Sequence, residues 1–270
     1  MRKITRITTQ KKSKNRYNIF LSEGQDEVYG FSVDEAILIE YKLRKDLELD
    51  DSMIDTLVKK DTVHKSYTQA INFLSYRMRT KKEILDYLVK KEVDSEHIKV
   101  VIEKLNKEKL IDDKEFADMF VRTRINTTIK GPSLIKKELI EKGVSGSIAS
   151  EAVEQFTYEI QYEKILKWIE KKVNTKKNDS FQKQVQQLQV TLMQKGFTHD
   201  VIKDALADIN EEKDDDNEWN ALVYQGEKLF RKYQPKMSGY KLHNKMKESL
   251  YTKGFAMDMI NRFLEENLEE

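Results

Sequence analysis

A turn of the form lysine–glycine–hydrophobe recurs along this chain and constrains its fold more than any other feature. The glycine stands at Gly143, Gly196 and Gly254, and Glu92 takes the equivalent place in an earlier copy, with spacings of 51, 53 and 58 residues. A leucine four residues before each turn and a valine or phenylalanine directly after it keep the same register. Agreement at so many positions indicates internal repeats of one supersecondary unit.

Each repeat is predicted to hold three helices. A glycine that follows an apolar-periodic helix ends it in the left-handed conformation, and the next helix begins at a cap such as Ser145 or Thr198. A further helix precedes each turn, over residues 67–78, 114–125, 162–173 and 219–233. Four such units in tandem predict a mainly α fold and an elongated, curved rod. Glu92 is a local departure that its neighbours must absorb.

The first 60 residues differ from the rest. Segments 4–9, 16–21 and 27–31 are rich in β-branched and aromatic residues and predict a three-stranded meander. Ser32, with Asp34 and Glu35 after it, is predicted to cap a first helix, and a second short helix is expected from about Asp50 to Lys60. The predicted domains are a β-strand and helix module at 1–62 and three-helix repeats at 63–112, 113–158, 159–212 and 213–270. The polar stretches 174–180 and 211–218 separate helices or repeats, and the second, with six acids in eight residues, predicts a flexible joint.

Composition narrows the functional class. The chain has no cysteine, which excludes disulfide frameworks and thiolate chemistry, and no apolar run long enough to span a bilayer. With no secretion signal at its start, the chain is expected to be soluble and cytoplasmic. The net charge of +2 is unevenly distributed: residues 1–20 carry seven basic side chains and no acidic one, whereas residues 201–270 carry 11 basic and 15 acidic. This asymmetry favours a polyanion or an acidic protein surface as partner, although solvation of helices accounts for most individual charges.

No pattern typical of catalysis is present. The four histidines lie at least 33 residues apart, which rules out metal-ligand spacing, and neither a phosphate-binding loop nor a nucleophile elbow occurs. Carboxylates mostly stand three or four residues from a lysine, as in surface pairs on helices. A binding protein without enzymatic activity, cofactor or metal is therefore expected.

Two segments carry a distinctive pattern, 73–88 and 112–144. Arg77 and Arg79 have the same spacing as Arg122 and Arg124, 45 residues later. Thr80 and Glu83 predict a capping box, and a Gly–Pro step restarts a helix. Together these segments resemble the signature of the RecX family of bacterial regulators of the RecA recombinase. The matching residues are Leu74, Ser75, Arg77, Arg79, Glu83, Ile84, Asp112, Asp113, Phe116, Ala117, Arg122, Arg124, Gly131, Pro132, Glu138, Leu139, Lys142 and Gly143. Ile84 replaces a leucine and Thr80 a serine of the family pattern.

The resemblance implies a protein that lodges in the groove of the RecA–single-stranded DNA filament and inhibits strand exchange and ATP turnover, with roles in DNA repair and the SOS response. It implies RecA and single-stranded DNA as partners and leaves double-stranded DNA open as a further one. No membrane partner is expected from the composition, and the protein is expected to be a monomer. The residues assigned to partner or DNA contacts are Arg77, Arg79, Lys81, Lys82, Arg122, Arg124, Lys130 and Lys136. A structural role is assigned to Leu74, Ser75, Glu83, Asp112, Asp113, Phe116, Gly131, Pro132 and Gly143.

Alternatives remain open for the arginines and for the whole chain. Arg77 and Arg124 could equally pair with Asp112, Asp113 or Glu138 inside the repeat, whereas Arg79, Arg122, Lys81 and Lys130 are better candidates for the outer face. Phe73, Phe116 and Phe120 have helical spacing and are expected in the core. A DNA-binding protein that acts alone through helix–turn–helix-like repeats is the main alternative function. A passive helical scaffold is a third.

Overall fold

The computed structural model describes residues 1–11, 13–173, 178–210 and 215–268. Within these residues the chain is mostly helical, with a small antiparallel sheet at the amino terminus, as the sequence predicts. None of the helices in these ranges combines the length and the apolarity that crossing a bilayer requires. The chain divides into two compact units, Met1–Phe116 with Lys142–Val144, and Ala117–Glu141 with Ser145–Glu270.

The first unit begins with the sheet. Its strands are β1 (Arg2–Thr9), β2 (Arg16–Glu23), β3 (Asp26–Asp34) and the short β4 (Glu48–Leu49), in the spatial order β3-β2-β1-β4. The three predicted strands are confirmed, and β4 is an addition that pairs with β1. One face of the sheet is apolar and packs with helix α1 (Glu35–Glu40) and the start of α2 (Asp51–Leu74) into a core that contains Ile4, Ile19, Leu21, Phe31, Val33 and Leu57.

Two predictions about this region are wrong. Asp34, and not Ser32, caps α1, because its side chain accepts the Ala36 N–H while Ser32 is still part of β3. The separate helices predicted at 50–60 and 67–78 are one helix, α2, of 24 residues. No proline or glycine interrupts that stretch, and helix propagation adds one hydrogen bond for each residue fixed. The predicted domain boundary at 62 falls inside this helix.

The remaining helices of the first unit are α3 (Lys81–Lys90) and α4 (Ser95–Lys107). They pack on the second half of α2 around a core that includes Ala70, Ile84, Leu88, Ile98, Val101, Ile102 and Leu105. The predicted capping box is confirmed: Thr80 accepts the Glu83 N–H, and the Glu83 side chain accepts the Thr80 N–H. These three helices form the first repeat.

The second unit continues the repeats. Its helices are most of α5 (Asp113–Thr127), then α6 (Pro132–Glu141), α7 (Gly146–Val153), α8 (Tyr158–Val173), α9 (Phe181–Gln194), α10 (His199–Asn210), α11 (Asp215–Tyr233), α12 (Gly239–Thr252) and α13 (Met257–Leu268). Pro132 stands at the first position of α6 and Ser145 caps α7, as predicted. The last three helices share a core that includes Leu222, Met246, Leu250, Phe255, Ile260 and Leu264.

The predicted joint at 211–218 lies partly outside the described residues. Its second half, from Asp215, forms the first turn of α11 and is therefore no flexible joint. Glu218 is buried there, and its carboxylate accepts the N–H of Phe181 at the start of α9 at 2.7 Å. A carboxylate that satisfies the otherwise unpaired N–H of a helix start supports that end. The four residues 174–177 of the other polar stretch also lie outside the described residues.

Each Lys–Gly turn contacts the start of a helix in the preceding repeat. Thr80 Oγ1 donates to the Lys142 carbonyl at 2.7 Å, the Gly131 N–H donates to the Lys195 carbonyl at 2.7 Å, and Ser180 Oγ donates to the Lys253 carbonyl at 2.5 Å. The three donors all stand directly before a helix of the preceding repeat, α3, α6 and α9. One type of joint therefore recurs three times, and its hydrogen bond satisfies a carbonyl at a helix end.

This joint explains why glycine is required at three turns and absent at the fourth. Gly143, Gly196 and Gly254 have φ of 89°, 81° and 89°, and Glu92 takes φ 60° at the equivalent place. Conformation alone therefore does not demand glycine. A Cβ added at Gly143 would lie 2.4 Å from Cβ of Lys82, and one at Gly196 would lie 2.8 Å from the Leu134 nitrogen. The first repeat has no three-helix repeat before it, so Glu92 is exposed and its side chain meets no such neighbour.

Candidate partner-binding surface

The loop between α2 and α3 places Arg77 in an ion pair. Its guanidinium contacts both carboxylate oxygens of Glu83, at 3.0 and 3.1 Å, and Lys142 approaches the same carboxylate at 3.1 Å. Burial alone would raise the pKa of Glu83, but the hydrogen bonds from Arg77 and Lys142 outweigh it, so the pKa is lowered. Arg77 therefore pairs with Glu83, and not with Asp112, Asp113 or Glu138 as considered from the sequence. Half of its side chain remains exposed.

Arg79 belongs to a stack of side chains that joins α2 to α3. Its guanidinium carbon lies 4.0 Å from the centroid of the Phe73 ring, and that ring stacks on Tyr87 with centroids 4.1 Å apart. Burial and the neighbouring charge of Arg77 lower the pKa of Arg79, and its Nε finds no acceptor among the described residues. The prediction that Arg79 lies on the outer face is therefore only partly right, because one side of its guanidinium packs on Phe73.

Around this stack the loop presents a basic and aromatic surface, which we call the α2–α3 surface and define as Tyr76, Arg77, Met78, Arg79, Lys81 and Lys82. Tyr76 is 84 % exposed, Met78 is 42 % exposed, and both lysines are exposed. Within the described part of the chain, no carboxylate pairs with the Lys81 side chain, while its backbone N–H donates to Asp113 at 2.9 Å. Aromatic, methionine and arginine side chains are the types enriched in protein interfaces.

Arg124 and Lys130 share one carboxylate in the second unit. Arg124 donates to Glu138 at 2.8 Å, Lys130 bonds the other oxygen of the same carboxylate, and Arg124 also lies over the Phe120 ring at 4.6 Å. Burial would raise the pKa of Glu138, yet these two cations lower it. The pairing considered for Arg124 is confirmed. Lys130, predicted for the outer face, keeps 40 % of its side chain exposed, but the loop before α6 turns its ammonium toward Glu138.

Arg122 and Lys136 remain available for a partner. Arg122 is exposed on α5, and its Nε makes one hydrogen bond of 3.3 Å to Gln155. Lys136 is half-buried on α6, and no carboxylate of the described residues forms an ion pair with it. The eight cations assigned from the sequence thus divide between the two units, with four around α3 and four on or near α5 and α6.

The other signature residues hold the repeats together. Asp112 accepts the N–H groups of Lys114 and Glu115 and so caps α5, while Asp113 accepts the N–H of Lys81. Ser75 ends α2, Leu74 packs against the first-repeat core and Phe116 is buried. Phe73 and Phe120 are only partly buried, because each presents one ring face to an arginine.

The basic amino terminus is largely neutralised by folding. Arg2 pairs with Asp51, Lys3 with Glu48, Arg6 with Glu27, and Arg16 with Asp61. Lys11 and Lys14 are exposed in the turn between β1 and β2, and Lys12 lies outside the described residues. The run of seven cations in the sequence therefore overstates the free positive charge of the folded module.

Matches to known proteins extend over the whole chain. Four family models match it: the regulatory protein RecX N-terminal domain at 2–50, and the first, second and third RecX three-helix domains at 67–105, 112–153 and 159–206, the last matching again at 215–264. The chain belongs to the RecX family. The regulatory protein RecX of Oceanobacillus iheyensis is 56 % identical over all of both chains, and that of Bacillus cytotoxicus is 45 % identical over 99 % of this chain and 98 % of its own.

Solved RecX structures agree with this assignment. A crystal structure of a regulatory protein RecX aligns with a TM-score of 0.66 at 37 % identity and covers 76 % of this chain and 100 % of its own. RecX from Lactobacillus salivarius aligns with a TM-score of 0.54 at 36 % identity, over 56 % of this chain and 98 % of its own. The model of the third three-helix domain matches both of the last two repeats of this RecX family member.

The α2–α3 surface contains two residues that the sequence did not single out. Tyr76 and Met78 alternate with Arg77 and Arg79, and nothing in the spacing separates them from core positions next to a helix. The sharp turn after Ser75 exposes them instead. The one signal in the sequence that could have pointed to this surface was Met78, a large apolar side chain between the two signature arginines.

The shared carboxylate of Glu83 predicts an acid-sensitive contribution to stability. Because its pKa in the folded protein is below the ordinary value of 4.5, its contribution is complete above that value and is lost as the pH falls through the folded-state pKa. The difference in free energy of unfolding between the wild type and Glu83→Gln should therefore be largest near neutral pH and shrink below about pH 4.5. Urea unfolding at several pH values measures it, and a difference that grows toward acid would contradict the assignment.

Proposed function

We propose that this protein is a non-enzymatic regulator that acts in the cytoplasm, binds the RecA–single-stranded DNA filament and lowers its recombinase and ATPase activity. The observation that carries the proposal is the full-length match to proteins named regulatory protein RecX, together with the four RecX domain models. Such a regulator would modulate homologous recombination and DNA repair.

The exposed cations support this proposal, because they offer groups that can contact the RecA–DNA filament. Lys81 and Arg122 present charge without a carboxylate partner among the described residues, and Tyr76 adds an exposed ring next to Arg77. A RecA–DNA filament offers carboxylates and phosphates, and arginine can bond two oxygens of either group at once. The paired cations Arg124 and Lys130 are less suited to that role, because each would have to leave Glu138 first.

A titration of RecA ATPase activity on single-stranded DNA tests the proposal. The wild type should lower the ATPase rate at substoichiometric amounts. The double variant Lys81→Glu with Arg122→Glu should need a concentration at least about tenfold higher for half inhibition, because hydrogen bonds to charged groups contribute about 1.5–3 kcal/mol each. Neither side chain is buried, so helicity by circular dichroism should not change.

The matched control is Lys203→Glu, a reversal at an exposed position of α10. It should inhibit like the wild type. Absence of any wild-type effect on the ATPase would refute the regulator function and favour a passive scaffold. Tight binding to bare DNA at both low and high salt, with no further effect of RecA, would favour the DNA-binding protein that acts alone. If the double variant inhibits as well as the wild type, the assignment of Lys81 and Arg122 to the contact is refuted, but the regulator function is not.

A further inference from the structure

The outer face of the amino-terminal sheet carries a row of flat side chains. Three residues stand directly opposite one another across β1, β2 and β3: Arg6 pairs with Phe20, and Phe20 pairs with Tyr29. This face lies opposite the apolar core of the sheet. Tyr29 is 58 % exposed and the Arg6 side chain is 54 % exposed, so the row is open to solvent.

Two irregularities in strand pairing create this row. The register shifts between Ile4 and Arg6, where Thr5 is the extra residue, and again between Ile19 and Phe20, where Gly30 is the extra residue on β3. Side chains alternate between the faces of a regular strand, so without the first shift Arg6 would share the core face of Ile4. Bulges re-aim side chains in this way and are frequent beside functional sites. Both bulges of this sheet serve the same three residues.

The three groups are held in contact. The guanidinium carbon of Arg6 lies 4.2 Å from the centroid of the Phe20 ring, and the Phe20 and Tyr29 rings meet edge to face with centroids 6.0 Å apart. Glu27 accepts hydrogen bonds of 2.6 Å from both Arg6 and Thr5, which holds the guanidinium over the ring. Tyr29 Oη lies 3.2 Å from Oγ of Ser32. The guanidinium plane of Arg6 and the rings of Phe20 and Tyr29 are therefore held in fixed positions before any ligand binds.

The next row on the same face is polar. Thr8 stands opposite Asn18, and Asn18 stands opposite Ser32, so hydroxyl and amide groups border the aromatic row. Beyond them, the turn between β1 and β2 carries the exposed ammonium groups of Lys11 and Lys14. Flat rings, a hydrogen-bonding border and free cations at one end suit a ligand that is planar, polar at its edges and anionic.

We propose that this outer face, which we call the sheet platform and define as Arg6, Phe20, Tyr29, Asn18 and Ser32, binds single-stranded nucleic acid. Bases would stack on the Tyr29 ring and on the Arg6 guanidinium, while Lys11 and Lys14 approach the phosphates. Unpaired bases stack on aromatic side chains and on guanidinium planes of exposed sheets. An aliphatic protein partner would not need these planes, and the exposed ammonium groups of Lys11 and Lys14 at one end favour a polyanion. The site does not depend on the RecA-binding function proposed above.

Binding of the full chain to fluorescently labelled oligo(dT) of about 16 nucleotides, without RecA, tests the platform by anisotropy. Tyr29→Ala should weaken binding by about tenfold, because loss of one stacked base costs roughly that much. Tyr29→Phe keeps the ring and should bind within about twofold of the wild type. Tyr240→Ala removes an even more exposed ring in the last repeat and should bind like the wild type.

An abasic oligomer of the same length separates stacking from charge. Wild type and Tyr29→Ala should bind it alike, because only the phosphates remain to be contacted. The proposal is overturned if the wild type does not bind oligo(dT), if Tyr29→Ala binds it like the wild type, or if Tyr240→Ala loses as much. An equal loss on the abasic oligomer would also overturn it. Because RecA is absent, none of these outcomes bears on the ATPase test.

Discussion

Replacing Gly131 by alanine is expected to lower the free energy of unfolding of the second unit by about 3 kcal/mol, the upper part of the usual range for overpacking. A Cβ at this position would lie 2.3 Å from the carbonyl carbon of Gly196 and 2.3 Å from the nitrogen of Phe197. These are backbone atoms, so no side-chain rotation can relieve the clash. The hydrogen bond from the Gly131 N–H to the Lys195 carbonyl would lengthen at the same time. Denaturant unfolding followed by tryptophan fluorescence measures this, because Trp168 and Trp219 both belong to the second unit.

Gly146→Ala is the matched control. Gly146 is the first residue of α7, and a Cβ there would meet no atom within 4 Å. Neither glycine requires a positive φ, so the two substitutions differ in the space around them and not in backbone strain. Gly146→Ala should be neutral or stabilise by up to about 1 kcal/mol, since alanine restricts the unfolded chain. Equal stability of the two variants would show that the joint between the repeats is looser than described.

Removing the Asp61 carboxylate is expected to destabilise the first unit by about 3 kcal/mol. Asp61 is buried on α2 and accepts hydrogen bonds of 2.7 Å from the Arg16 guanidinium and from the Asp34 N–H. Asp61→Ala would leave a largely buried guanidinium and a backbone donor without their acceptor, and breaking a buried pair costs far more than its net contribution. Hydrogen exchange of β2 and β3 peptides measures the loss, since these strands carry Arg16 and Asp34.

Asp51→Ala on the same helix provides the comparison. Asp51 also pairs with an arginine of the sheet, Arg2, at 3.2 Å, but its side chain is 81 % exposed. Solvent screens such a pair, and the favourable position in the first turn of α2 adds little, so the cost should stay below about 1 kcal/mol. If both substitutions cost the same, burial would not be what makes Asp61 important. The ion pair between Arg16 and Asp61 also bears on function, because it removes Arg16 from the cations available to a nucleic acid.

Local signals in the sequence predicted most of the elements. Alternation of β-branched and aromatic residues is a property of a few neighbouring residues, and the three strands follow from it. The capping box of Thr80 and Glu83 and the left-handed turns at Gly143, Gly196 and Gly254 also depend on residues close in the chain. The length of α2 was missed although no proline or glycine divides it, because a polar stretch inside a helix resembles a linker.

The candidate sites were less predictable, because side-chain partners come from far along the chain. The sequence by itself determined which cations are present, the repeat register and the family signature. Only the tertiary structure decided that Glu83 joins Arg77 to Lys142, that Lys130 turns toward Glu138, and that Arg79 packs on Phe73. It also decided why Glu92 can replace a glycine, since the turns of the later repeats press on a preceding helix and the first does not. Periodicity and capping act within a few residues, whereas pairing and close approach depend on where distant helices meet.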